Sequence, residues 1–156
     1  MTDRKIHLFT APKHSGKTTK LMQWSAHQSD VFGILTPVIE GKRAFMDAHT
    51  RQPFRMEATA NEVDILVAGK YRFSKNGFET AASILLTAAN QTKGFIIVDE
   101  IGPLELRGLG FCEAVKTLLN NKTSTVEIVL VIREELVTDA IQYFQLNRFS
   151  LTTMAL

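Results

Sequence analysis

An α/β fold is what this sequence predicts: a mostly parallel β-sheet with helices on both faces and a hairpin excursion after the second strand. Three observations lead there. Strand-like apolar runs alternate with helical stretches along most of the 156 residues, the pattern that lays crossover helices over a parallel sheet. The run Phe95–Asp99 (FIIVD) is apolar until it ends in acids, as suits a central strand covered on both faces. A glycine-containing loop separates the first strand from the first helix, at the carboxyl end of a strand, where such sheets bind ligands.

The elements follow in order. Lys5–Thr10 reads as a short strand, and Lys17–Gln28 as a helix offering Leu21, Met22 and Trp24 for burial. Val31–Thr36 is a second strand, stopped by Pro37. Val38-Ile39, a turn at Glu40-Gly41-Lys42, then Arg43–Ala48 and Pro53–Glu57 form short runs around a Gly turn, which favours a hairpin over another crossover. Asp64–Ala68 and Tyr71–Phe73 are weaker strand candidates. Ser74 is placed to cap a helix from about Gly77 to Asn90, rich in Ala and Leu. After Phe95–Asp99 come a helix near Phe111–Leu119 stopped by Asn120-Asn121, a strand at Val126–Ile132 and a helix at Glu134–Tyr143. The last residues are expected to fray.

Composition excludes several classes. The 18 Lys+Arg against 16 Asp+Glu leave a net charge of +2, without the cationic excess that nucleic-acid binding wants. Cys112, the single cysteine, rules out an intramolecular disulfide and a cysteine-cluster zinc site. No run approaches the roughly 20 apolar residues that span a bilayer, and Met1-Thr2-Asp3-Arg4 does not open like a secretory signal. One cytoplasmic domain over residues 1–156, with no membrane association, is the expectation.

The strongest chemical signal is Ala11-Pro12-Lys13-His14-Ser15-Gly16-Lys17-Thr18. It matches the phosphate-loop pattern, with Ala11 where the first Gly is usual, in the required setting of strand before and helix after. Backbone amides of such a loop and the helix N-terminus make a concave anion site. Gly16 lets the backbone approach phosphate, Lys17 neutralises charge on the β- and γ-phosphates, and the Thr18 hydroxyl is a natural Mg²⁺ ligand. His14, inside the loop, either contacts phosphate or points to solvent.

Asp99 and Glu100 close the FIIV strand, where a second metal-site element belongs. An Asp there holds Mg²⁺, usually through water, and the adjacent Glu activates an attacking water. Ile101, Gly102, Pro103, Leu104, Glu105 and Leu106 continue into a Gly/Pro-punctuated loop that either wraps the nucleotide, with Glu105 facing the metal or the water, or fixes the next helix. Arg133 follows the 126–132 strand, which is expected to lie beside the phosphate site, and is either a cis arginine finger on the γ-phosphate or part of a structural salt bridge with Glu134, Glu135 or another acid. Arg43, Arg51 and Arg55 surround the hairpin as a lid over phosphates or as the charged edge of a β-ribbon. Asn121-Lys122-Thr123-Ser124 lacks the Asp of a guanine-reading element, so no base preference is assigned.

The segments APKHSGKTT (11–19, ending in Thr19), GILTPVIEGKR (33–43), IIVDEIGPLELRGLGF (96–111) and VIRE (132–135) together resemble the THEP1-type nucleoside-triphosphatase family. The resemblance implies a three-layer, RecA-like P-loop NTPase fold and Mg²⁺-dependent hydrolysis of several nucleoside triphosphates, ATP and GTP among them, to diphosphate and phosphate. Its nucleotide-contacting segments carry over as Ala11–Thr18 and roughly Asp99–Leu106. Two alternatives stand beside hydrolysis. A small-molecule kinase would need an acceptor pocket and a basic lid. The thymidine-kinase type is disfavoured, because one cysteine cannot build its zinc lid. A nucleotide-dependent switch, similar to the small accessory GTP-binding protein of molybdopterin-dinucleotide synthesis, would share the phosphate loop but not DEIGPLEL.

Overall fold

The computed structural model describes residues 4–12, 16–121 and 124–156. Its strands are β1 (Lys5–Ala11), β2 (Val31–Leu35), β3 (Val38–Ile39), β4 (Lys42–Asp47), β5 (Pro53–Arg55), β6 (Ile65–Ala68), β7 (Tyr71–Ser74), β8 (Phe95–Ile101), β9 (Glu127–Arg133) and β10 (Ser150–Thr153). Its α-helices are α1 (Lys17–Ser25), α2 (Lys75–Ala88), α3 (Cys112–Asn120) and α4 (Val137–Tyr143). The main sheet runs β10-β1-β9-β8-β2-β4-β3, with β5 on β4. From β10 to β2 every pairing is parallel, while β4 pairs antiparallel with β2, β3 and β5. β6 and β7 form a separate two-stranded ribbon.

The order matters for the site. β9, late in the chain, inserts between β1 and β8 and pairs with both. The ends of β1, β9 and β8 therefore lie side by side, and they carry Ala11, Arg133 and Asp99. A chain-order reading of the sequence cannot supply this insertion.

Strand alternation divides the apolar side chains into two cores. Phe9, Leu35, Ile97, Val129 and Val131 pack under Leu21 of α1. Ile6, Leu8, Ile96, Val98, Ile128, Leu130 and Ile132 face the other way, among residues of α2, α3 and α4. The result is three layers, a mostly parallel sheet between helices, as the alternation predicts. Burying each of these Leu, Ile, Val or Phe side chains contributes about 1.5–3 kcal/mol, and β8 supplies side chains to both cores.

Differences from the expected boundaries are local. β8 continues through Glu100 to Ile101 rather than stopping at Asp99. The Ser74 cap is present, its hydroxyl accepting from the Gly77 amide at 3.1 Å, but α2 starts at Lys75. Glu134–Leu136 is a 3-10 turn ahead of α4. The chain end does not fray over 150–153: it forms β10, with Lys5 opposite Ser150 and Leu8 opposite Thr153. Four residues with two Thr carry too little apolar pattern to announce an edge strand. Among the described residues no helix is long and apolar enough to cross a membrane.

Gly33 fixes the spacing of β2 against β8. Its φ is +101°, and a Cβ there would be driven into the backbone of Ile97. Gly33→Ala should cost about 2–6 kcal/mol from strain and overpacking together. Thermal unfolding followed by circular dichroism should show a midpoint lowered by roughly 5–20 °C; an unchanged midpoint would contradict the close approach.

Candidate nucleotide-binding and catalytic site

β1 delivers the chain to the phosphate loop at Ala11. Lys13, His14 and Ser15 lie outside the described residues. Ala11 is half-buried and Pro12 exposed. Gly16 stands at the N-cap of α1 with φ 80° and ψ 25°, a left-handed conformation, and α1 has neither a side-chain cap nor an acid in its first turn. Among the described residues, the amides at that helix start therefore have no capping side chain, the condition under which a helix N-terminus takes an anion. Lys17, only 9% exposed, turns its ammonium back to the Pro12 carbonyl at 3.4 Å. Thr19 points outward from the first turn.

The two sequence motifs meet at Thr18 and Asp99. The Thr18 hydroxyl donates to Asp99 Oδ2 at 2.8 Å, and the Thr36 amide at the end of β2 donates to the same oxygen at 3.0 Å. Asp99 is 1% exposed. Burial pushes its carboxyl above the ordinary carboxylate range, with the Thr18 and Thr36 bonds pulling the other way. A cation placed there would offset the cost of burying the charge.

Glu100 follows across a bulge: Asp99 is in register with Val131 and Ile101 with Ile132, so Glu100 is skipped in the ladder with β9. Its carboxylate is flanked by two cations, Lys17 Nζ at 3.9 Å from Oε2 and Arg43 Nη2 at 3.5 Å from Oε1. Arg133 is in register with Ala11. It makes a 3.7 Å ion pair with Glu135, and its Nε is buried without a hydrogen-bond partner among the described residues.

Residues 101–106 are placed unevenly. Ile101 and Leu104 are core, Gly102 is buried, Pro103 exposed and Leu106 partly buried. Glu105 is 3% exposed; its Oε1 accepts from the Gly102 amide at 2.9 Å and its Oε2 from the Phe111 amide at 3.3 Å. One oxygen thus closes the loop on itself and the other ties it to the start of α3. Burial raises the carboxyl to about 7.

Of the three hairpin arginines, Arg43 alone reaches this centre. Arg51 donates to Ser25 Oγ, and Arg55 pairs with Glu62. The chance of finding Arg43 from sequence lay in its position three residues beyond the turn at Glu40, which returns it to the end of β2. Cys112 is buried as a free thiol, 3.6 Å from the Tyr143 hydroxyl, and no group of three metal-ligating His, Cys, Asp or Glu side chains occurs among the described residues.

Two solved structures are similar in fold. THEP1 from the hyperthermophile Aquifex aeolicus superposes with a TM-score of 0.71 at 22% identity, over 96% of this chain and 90% of that one. A human cancer-related nucleoside triphosphatase superposes with a TM-score of 0.63 at 20% identity, over 99% of this chain and 89% of the other. Among curated proteins none matches the sequence. The family described as NTPase matches residues 6–154. That span runs from the first strand to the last, and the chain belongs to the NTPase family, as a P-loop hydrolase of nucleoside triphosphates.

Proposed function

We propose that this hydrolase is Mg²⁺-dependent, accepts several nucleoside triphosphates, and uses Glu100 as general base. The observation that carries the reading is the meeting of the phosphate loop with the acidic strand end through the 2.8 Å Thr18–Asp99 bond, with Glu100 one residue further on.

The donor set suits Mg²⁺. A hydroxyl and a buried carboxylate are hard oxygen ligands, and Mg²⁺ is usually held by one or two such groups plus substrate phosphates rather than by an all-protein cage. Thr18 and Asp99 would hold it. When bound, the ion neutralises charge on the phosphates and orients them.

The chain's own groups do the rest. Loop amides and Lys17 bind the β- and γ-phosphates. Glu100 takes a proton from water as its oxygen attacks the γ-phosphorus; the bond to the β–γ bridging oxygen breaks, and the diphosphate leaves with that electron pair. Arg133, whose buried Nε has no partner among the described residues, is suited to the γ-phosphate charge that builds in the transition state. Acceptance of several bases rests on the resemblance to the THEP1-type nucleoside triphosphatases; Ser124 lies before β9, at the opposite end of that strand from Arg133, and bears on no base. A kinase lid is disfavoured by the partners of Arg51 and Arg55.

The test is phosphate release from ATP, GTP, CTP and UTP with and without Mg²⁺, alongside equilibrium binding of a fluorescent nucleotide. Rates within about tenfold of one another are expected, lost on chelation. Lys17→Ala should weaken binding by about 10–100-fold and abolish turnover. Tight binding without turnover in the wild type would overturn the reading and move the search to an acceptor substrate or a protein partner.

A further inference from the structure

We infer that Arg43 is a positioning residue for Glu100, holding the general base in place from a strand outside the nucleotide motifs. The inference rests on the reading of Glu100 as base.

Glu100 needs such a partner. The bulge leaves it out of the register between β8 and β9, so the sheet ladder does not aim its side chain. Its two oxygens are divided between Lys17 at 3.9 Å and Arg43 at 3.5 Å. Once a nucleotide binds, the Lys17 ammonium is drawn to phosphate, and Arg43 remains as the cation that orients the carboxylate.

Arg43 is built to stay. Its amide donates to Glu57 Oε2 at 2.7 Å, its register partner is Val38 of β3, and the neighbouring Ala44 amide donates to the Pro37 carbonyl at 2.9 Å. Two residues on, Phe45 is fully buried and meets the rings of Phe54 and Phe78 at 5.3 and 5.0 Å. Residues 43 and 45 share a face of β4, so the aromatic anchor sets where the guanidinium lies. The side chain remains 37% exposed, which leaves room beside Glu100 for the water it would activate.

The test is a kinetic double-mutant cycle of Arg43→Ala with Glu100→Gln, measuring kcat, KM, nucleotide affinity and unfolding temperature for each. Arg43→Ala should lower kcat by about 10–100-fold with KM and affinity within about threefold of wild type. Arg43→Lys should recover most of the loss. In the Glu100→Gln background, removing Arg43 should cost nothing more, because the two act as one unit. Arg43→Gln, which keeps the aliphatic stem, should behave like Arg43→Ala and serves in its place where the truncation fails to fold.

Unchanged kcat in Arg43→Ala, an equal further loss in the Glu100→Gln background, or a large drop in affinity with kcat kept would each overturn the inference. The last would make Arg43 a phosphate ligand. Failure of the underlying reading looks different: the wild type shows no turnover, or Glu100→Gln keeps it.

Discussion

Glu100→Gln is expected to lower turnover by about 10²–10⁴-fold while nucleotide affinity stays level or tightens. The two halves of this result have separate causes. The amide keeps the shape of the carboxylate but cannot accept the proton that water must lose, so the chemical step fails. In the proposed reading binding rests on other groups: the helix start behind Gly16, Lys17, and the Thr18–Asp99 pair. Removing one negative charge 3.9 Å from the Lys17 ammonium also frees that ammonium for phosphate and removes a repulsion. Phosphate release paired with equilibrium binding separates the halves. Turnover lost together with affinity would mean that Glu100 holds the site together rather than acting on water. Turnover barely changed would place the base elsewhere and favour a switch-like protein with slow incidental hydrolysis.

The parts of this site legible in sequence are those whose chemistry is local. A loop between a strand and a helix must close with Gly16 and Lys17 if it is to hold phosphate, and an apolar strand must end in its acids if the acids are to reach a ligand. Both are short-range patterns, and Thr18 and Asp99 meet as two such ends in one sheet do. Arg133 was legible as a residue after a strand beside the phosphate site, but its register opposite Ala11 depends on β9 entering between β1 and β8. Strand order is decided by which apolar faces fit together over the whole sheet, and nothing within VLVIRE states it. Arg43 was legible only as one of three arginines around a hairpin. What separates it from Arg51 and Arg55 is the burial of Phe45 under α2 and the capture of its amide by Glu57, contacts made across the fold. Ser150–Thr153 was missed because an edge strand beside β1 can draw its stability from backbone pairing, which leaves little trace in side-chain pattern.

Glu105 shows how a residue in a catalytic-looking motif can act through the loop it stabilises. Its carboxyl sits near neutrality, at about 7 against an ordinary 4.5, chiefly because it is buried, with the Glu100 charge adding a smaller push and the amides of Gly102 and Phe111 opposing it. The folded protein therefore holds this proton up to about pH 7, whereas the unfolded chain gives it up near 4.5. Between those values the folded state binds more protons, and stability falls as pH rises. The full difference corresponds to about 3 kcal/mol.

Glu105→Gln isolates the effect. Glutamine does not titrate, and with only one oxygen it leaves one of the two buried amides without an acceptor, a cost of about 1–3 kcal/mol. Below pH 4.5 the wild type should be the more stable protein. As pH rises through 7 its advantage should shrink by about 3 kcal/mol and vanish or invert, moving the difference between the two unfolding midpoints by roughly 6–12 °C. Thermal unfolding of both proteins at intervals from pH 4.5 to 8.5 measures it, and a difference that stays constant across that range would mean that Glu105 is not the titrating group. The direction also bears on catalysis. The loop that Glu105 ties down begins directly after Glu100, and ionising both carboxyls places two like charges on one short segment.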